Sequence, residues 1–240
     1  MTPPGTLYLV GTPIGNLGDI TLRALETLKT VSLVAAEDTR RTSQLFQRFD
    51  IHTPLTSLHE HNEGQKALQL IERIKAGQSV ALVTDAGMPV ISDPGAYLAQ
   101  LAWEAGLPVT TIPGPNAAVA ALALSGFRGE RFRFEGFPPK KTAAMERWLK
   151  ELSTEKIPVI CYESPMRLVK TLELIKKVLG EIPIVVAREL TKLHEEVTRG
   201  STSEVLARYT TRAPKGEVTL LFLPTENEND EPKNPSHSDH

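Results

Sequence analysis

A chain of 240 residues, 40% of them hydrophobic and 23% charged, suits one large or two small globular domains and can bury a sizeable core without disulfides or metal. A single cysteine, Cys161, excludes an internal disulfide framework and points to a reducing, cytoplasmic setting. The net charge of −2 does not advertise a nucleic-acid binder, but residues 225–240 carry Glu226, Glu228, Asp230, Glu231 and Asp239 against Lys233, so the rest of the chain stands at +2, which permits RNA contact.

The N-terminus lacks a basic-then-apolar leader pattern, and no apolar run is long enough to span a bilayer. Residues 1–4 read as a short disordered start. From there strands and helices alternate. Leu7–Val10 reads as a buried strand, and Thr21 as the cap of a helix with Leu22, Leu25 and Leu28 on one face. A strand at Val31–Ala36 and a helix at Thr39–Phe49 follow. Residues 62–76 form an amphipathic helix with Ala67, Leu68, Leu70, Ile71 and Ile74, stopped by Gly77. Val80–Thr84 reads as a strand, 95–105 as a helix, Val109–Ile112 as a strand and 116–124 as a helix. This order implies a mainly parallel sheet covered by helices on both faces.

At 125–142, S-G-F-R-G-E-R-F-R-F-E-G-F-P-P-K-K-T, the helical period breaks, and the segment reads as a linker running into the first strand of a second unit. A helix at 143–152, a strand at Val159–Tyr162, a helix at 165–179 and a strand at Ile184–Ala187 come next. A helix near 201–209 and a strand at Val218–Leu223 close the pattern. The expected organisation is an N-terminal α/β domain at 1–124, a C-terminal α/β domain at 125–224 and a disordered acidic tail at 225–240. No internal repeat is evident.

Three Gly/Pro turns follow three of these strands. V-G-T-P-I-G-N at 10–16 allows close backbone approach at Gly11 and Gly15 and is stiffened by Pro13. Its spacing does not match the dinucleotide fingerprint, and alone it is as well read as an ordinary strand-to-helix turn. T-D-A-G-M-P-V-I-S-D-P-G at 84–95 is too long for a mere connector; in it Asp93 reads as the cap of the helix after Pro94. I-P-G-P-N at 112–116 fixes a third turn around Gly114. Ligands sit beyond the C-terminal ends of strands in open parallel sheets, so the three turns together favour a ligand cleft. In the second half, Y-E-S-P-M-R, A-R-E-L-T-K and P-K-G-E add Arg167, Arg188, Glu189, Lys192 and Glu217 at strand ends; singly, such charges read as surface ion pairs.

T-P-I-G-N-L-G-D-I-T, A-A-E-D-T-R, D-A-G-M-P-V-I-S-D-P-G, P-G-P, F-E-G-F, Y-E-S-P-x-R, A-R-E-L-T-K and K-G-E occur in this order between residues 11 and 217. In that combination the chain resembles the bacterial 16S ribosomal RNA (cytidine) 2′-O-ribose methyltransferases of the tetrapyrrole-methylase superfamily, which use S-adenosylmethionine (SAM). The resemblance implies two α/β domains, a mainly parallel N-terminal and a mixed C-terminal sheet, SAM in a cleft between them, and a homodimer. It also implies a substrate, the ribose 2′-hydroxyl of cytidine 1402 of 16S rRNA in the 30S subunit. By its motifs SAM would meet Thr12, Pro13, Ile14, Gly15 and Asn16; Asp85, Ala86, Gly87, Pro89, Ser92 and Asp93; and Gly114 and Pro115. Tyr162, Glu163, Ser164, Glu189, Leu190, Gly216 and Glu217 would close the other side. Met88 stands where the family more often has Thr, and Met166 where it more often has His.

That chemistry is an in-line attack of the hydroxyl on the sulfonium methyl, helped by positioning and by a general base, and needing no metal. Glu37, Asp38, His61 and Glu189 are the foremost base candidates, with His59, Glu60 and Glu163 beside them. The competing reading of each carboxylate is an ion pair with Arg40, Arg167 or Arg188. Arg40, Arg41, Arg131, Arg133, Lys140 and Lys141 are candidate RNA contacts. Phe132 and Phe134 alternate with two of these arginines; the favoured reading turns both rings into the second core. Two rivals remain from sequence: a small-molecule (tetrapyrrole) methyltransferase on the same fold, and a non-catalytic nucleotide- or RNA-binding module.

Overall fold

The computed structural model describes residues 3–212 and 214–225. The expected acidic tail therefore lies, except for Thr225, outside the described residues, as do Met1 and Thr2 of the expected start. The described residues divide into two compact units, one running through Ala120 and including Glu189–Glu195, the other comprising Ala121–Arg188 and the described residues from Glu196 to Thr225.

In the first unit, β1 (Leu7–Val10), β2 (Leu33–Ala36), β3 (Leu55–Ser57), β4 (Val80–Val83) and β5 (Val109–Ile112) form a five-stranded, wholly parallel sheet in the order β3-β2-β4-β1-β5. The helices α1 (Leu22–Thr30), α2 (Thr39–Phe49), α3 (Glu63–Lys75), α4 (Ala96–Glu104) and α5 (Ala117–Ser125) follow the strands in turn. The apolar runs L-V-A-A and V-A-L-V are buried along their whole length because both faces of the sheet are covered. Alternate side chains go to opposite faces: Leu7, Leu33, Ala35, Val80 and Leu82 join one cluster, Val10, Val34, Ala36, Ala81 and Val83 the other.

Thr21 caps α1 by accepting from Ala24 N, as expected. Of the expected face of α1, Leu28 is buried and Leu25 packs partly buried against the same core, but Leu22 does not belong to it. The buried residues are Ala24, Thr27 and Leu28, continued by Val31 beyond the helix, while Leu22 is 80% exposed. Three leucines at steps of three drift around a helix of 3.6 residues per turn, and the i, i+3, i+4, i+7 set wins the core. Leu68 on α3 is exposed for the same reason, beside buried Ala67, Leu70, Ile71 and Ile74. The expected cap at Asp93 is also corrected. α4 starts after Gly95, with φ of 122° and no side-chain cap of its own. Glu63, from the start of α3, accepts the Gly95 and Tyr97 N–H groups at 2.9 and 3.1 Å instead.

In the second unit, β6 (Arg133–Phe134), β7 (Val159–Glu163), β8 (Pro183–Arg188), β9 (Glu196–Ser201) and β10 (Val218–Phe222) form a mixed five-stranded sheet in the order β6-β7-β10-β8-β9. Only β6 and β7 run parallel. The helices α6 (Thr142–Leu152), α7 (Leu168–Leu179) and α8 (Thr202–Thr211) bury Met145, Leu149, Leu168, Leu172, Ile175 and Val205 with alternate residues of the strands. α8 carries a full capping box between Ser201 and Glu204. β3 and β9 have no counterpart in the sequence reading. β3 is three half-buried residues, and β9, E-V-T-R-G-S, is an edge strand rich in polar groups.

Phe132 and Phe134 do not enter the second core. Phe132 is 40% exposed, and Phe134 packs edge-on against Tyr162, ring centroids 5.1 Å apart. A two-residue edge strand has one covered neighbour and cannot bury alternate rings.

Candidate functional site at the C-terminal edge of the parallel sheet

All five strands of the first sheet point the same way, so the segments that follow them gather along one edge. Gly11–Asn16 follows β1, Glu37 and Asp38 follow β2, Leu58–Asn62 follows β3, Thr84–Gly95 follows β4 and Pro113–Asn116 follows β5.

Gly11 and Gly114 face each other backbone to backbone. A Cβ on Gly11 would come within 2.7 Å of Gly114 Cα and N, and one on Gly114 within 2.9 Å of Gly11 Cα and C. Thr12 and Gly87 exchange both backbone hydrogen bonds, at 2.9 and 3.1 Å, and Thr12 Oγ donates to Thr84 O at 3.1 Å. Gly87 has φ of 93°, which favours glycine. Val90 and Ser92, with φ of 77° and 64°, hold the rest of this loop in the left-handed region that a β-branched residue rarely enters. Gly15 is exposed; a Cβ on it would meet Leu190 O and Thr191 Oγ, each at 2.9 Å, and the Lys192 side chain. Thr191 Oγ is buried without a hydrogen-bond partner. Asn16 accepts from Gly18 N and starts a 3₁₀ turn at Leu17–Asp19.

The ends of β2 and β4 are interlocked. Asp85 accepts the Asp38 N–H at 3.1 Å, and Glu37 accepts the Asp85 N–H at 3.3 Å. Arg41 lies 3.4 Å from the Asp85 carboxylate. Asp38 is gripped by Arg40 through two hydrogen bonds of 3.0 and 2.7 Å, which hold its carboxyl down at about 2. Burial raises the Glu37 carboxyl above the ordinary range, against the Asp85 N–H that stabilises its charge. Asp93 is pushed up to about 6 by burial first and by the charges of Glu37 and Asp85, while the Thr84 hydroxyl pulls the other way. Thr84 is itself buried, 2% exposed. Beyond β3, Asn62 holds the turn by accepting from His59 N at 2.9 Å. His59 Nδ1 is buried without a partner, and the His61 ring, 6.0 Å away centre to centre, is exposed with Glu60.

The remaining sequence candidates have other surroundings. Glu189, with φ of 52°, receives Lys192 Nζ at 2.8 Å. The Glu163 side chain is fully buried: it accepts from Ser164 N at 2.7 Å and Thr171 Oγ at 2.6 Å, with Arg167 at 3.5 Å. Its carboxylate therefore organises the turn after β7. The Tyr162 ring packs between Phe134 and Phe137. Gly216 and Glu217 are exposed ahead of β10, whose first residue pairs with both Glu163 and Arg188. Of the six basic candidates, Arg40, Arg41 and Arg133 carry acidic partners, the last Glu135 and Glu155. Arg131, Lys140 and Lys141 are exposed. Sequence reasoning passed over Thr84, Thr191 and Phe137. The exposed Phe137 was legible only as the last letter of F-E-G-F, where its exposure cannot be seen. Among the described residues no helix is long and apolar enough to cross a membrane, and no three potential metal ligands stand together.

Residues 6–206 match the family model of the tetrapyrrole (corrin/porphyrin) methylases. The chain is 48% identical over 219 residues to a Synechocystis protein named ribosomal RNA small subunit methyltransferase I, covering 91% of this chain and 78% of the relative. A Thermotoga maritima protein of the same name is 46% identical over 218 residues, covering 91% and 98%. Among solved structures, uroporphyrin-III-C-methyltransferase from Thermus thermophilus superposes with a TM-score of 0.63 at 20% identity, covering 92% of this chain and 94% of that one, a likeness of fold. With a parallel sheet whose glycine turns meet at one edge and relatives this similar along nine-tenths of its length, the chain belongs to the tetrapyrrole methylase family and, within it, groups with the ribosomal RNA small subunit methyltransferase I proteins.

Proposed function

We propose that this protein transfers the methyl group of SAM to the 2′-hydroxyl of a cytidine, cytidine 1402, in the 16S rRNA of the small ribosomal subunit. The observation that carries the reading is the 46–48% identity to the named rRNA methyltransferases over 91% of the chain. The edge suits SAM. Glycines at 11 and 114 let the turns after β1 and β5 pack backbone to backbone, which draws the loops of the edge together, and the buried hydroxyl of Thr191 lacks a partner that a ligand can supply. Thr12–Asn16, Asp85–Pro89, Ser92, Asp93, Gly114 and Pro115 would hold it, with Glu189 and Leu190 beside Gly15 and with Tyr162, Ser164, Gly216 and Glu217 as further contacts. Glu163, whose carboxylate is engaged, would contribute through its backbone.

SAM supplies a methyl group already activated on a sulfonium. The chain's part is to orient the ribose hydroxyl and take its proton as the new carbon–oxygen bond forms. Asp38 is tied to Arg40 and Glu189 to Lys192. Glu37 and Asp93 keep acceptor capacity and raised proton affinity, which suits a base at neutral pH. His61, exposed beyond β3, is the alternative base. The protein would act as a homodimer in the cytoplasm.

Tritium transfer from labelled SAM to 30S subunits of a strain lacking this activity tests the proposal. Label should appear on the subunits and map to the ribose of that cytidine. Transfer to uroporphyrinogen but not to subunits would place the chain with the tetrapyrrole enzymes, and SAM binding without turnover would make it a binding module.

A further inference from the structure

We infer that Phe137, flanked by Lys140 and Lys141, is a stacking platform for an unpaired base of the substrate RNA; the inference rests on the RNA-methylating function proposed above. Phe137 follows β6 and is 60% exposed. An exposed aromatic ring on a mobile loop means little, but this loop is held at several points. Tyr162 N donates to Gly136 O at 2.8 Å, extending the β6–β7 pairing to the residue before Phe137. The Arg167 guanidinium donates to Pro138 O and Pro139 O, at 3.4 and 2.9 Å, and is itself steadied by Glu163. Pro138 is buried, and two prolines in succession limit the backbone. Inside the ring, Tyr162 makes an edge contact with centroids 5.7 Å apart. The exposed part of Phe137 is thus presented on a fixed support.

Charge selects the partner. Lys140 and Lys141 are exposed and make no ion pair among the described residues. They differ in this from Arg40, Arg41 and Arg133, whose charges are neutralised by Asp38, Asp85, Glu135 and Glu155. Glu163, the acid aligned with this loop on β7, is buried and paired; Glu217 lies one strand further along the sheet. An aromatic face beside free ammonium groups is the composition that binds single-stranded nucleic acid, the ring taking the base and the lysines the phosphates. Met166, 94% exposed after the neighbouring strand β7, adds a polarizable apolar side chain at the same edge. A protein partner would be served by the apolar groups alone and gives the unpaired lysines no role.

The test measures binding of a fluorescein-labelled single-stranded oligocytidylate RNA by anisotropy, alongside methyl transfer to unmethylated 30S subunits. Phe137→Ala should weaken RNA binding about 5- to 160-fold, since stacking contributes ~1–3 kcal/mol per base. It should raise KM for subunits more than it lowers kcat, and leave SAM affinity unchanged. Phe137→Trp should retain binding. The Lys140→Gln/Lys141→Gln double variant should flatten the slope of log K against log salt by ~1.4, from about 0.7 per phosphate contact. Wild-type RNA affinity in Phe137→Ala would overturn the platform while leaving the methyltransferase reading intact. A loss confined to subunits, with oligocytidylate binding unchanged, would overturn it in favour of a ribosomal protein contact. If the wild type neither binds nor methylates RNA, the function proposed above falls with it.

Discussion

Replacing Gly114 with alanine puts the closest backbone contact of the sheet edge to a quantitative test. Its φ is not in the left-handed region, so alanine meets no conformational obstacle and the effect is steric alone. The new Cβ would lie 2.9 Å from both Cα and C of Gly11 and 3.0 Å from its O. Carbon atoms in good contact sit ~3.5–4.0 Å apart, so the two turns must separate by roughly half an ångström or more. They cannot separate freely, because Val10 pairs with Ile112 and Gly11 N donates to Ile112 O at 3.0 Å. Overpacking of this kind costs about 1–3 kcal/mol. Taking about 2 kcal/mol, Tm should fall by roughly 4–8 °C for a chain of this size. If the glycines line the SAM site, calorimetry should also show at least a tenfold loss of SAM affinity, about 1.4 kcal/mol. Gly64→Ala is the control: a Cβ there meets nothing within 4 Å, so Tm should hold or rise slightly. Gly114→Ala with wild-type Tm and wild-type SAM affinity would refute both the steric argument and the placement of the ligand.

Asp93 should make stability depend on pH. Its carboxyl, raised from 3.8 to about 6, binds a proton more readily in the folded than in the unfolded chain. That stabilising contribution is complete below about pH 4 and is lost as pH rises through 6. Asp93→Asn should therefore stabilise the protein at pH 8 by about 1 kcal/mol, a figure discounted from ~3 for partial solvent screening, and should change little at pH 4. Equal effects at both pH values in urea unfolding would contradict this. Glu163→Ala leaves Thr171, Ser164 N and Arg167 without their buried acceptor, so urea unfolding should report a loss of about 3 kcal/mol; a loss under ~1 kcal/mol would show the network to be dispensable.

The runs L-V-A-A and V-A-L-V were legible as strands because a parallel sheet buried on both faces needs continuous apolar residues, and the edge strand V-T-T-I because β-branched residues favour extended backbone. Thr21 was legible as a cap because the hydrogen bond it makes spans three residues. The carboxylate that serves the start of α4 was not, since Glu63 reaches it from more than thirty positions away in the chain. Local chemistry at Asp93 gave a plausible cap, and a long-range partner displaced it. β9 escaped notice because an edge strand with one covered side carries no apolar run.

The sequence by itself determined the alternating order of strands and helices and the turns that need glycine or proline. These depend on backbone freedom and on residues a few positions apart. The motif order carried the family, since each turn keeps its own local chemistry. Tertiary structure alone decided which charges are spoken for. Arg40 and Arg133 looked as available for RNA as Lys140 and Lys141 until their acids were placed beside them. Glu37 and Asp93 looked no different from Asp38 until burial and neighbouring charge set them apart. Electrostatic and desolvation effects depend on distance through space, and a linear sequence carries none of those distances.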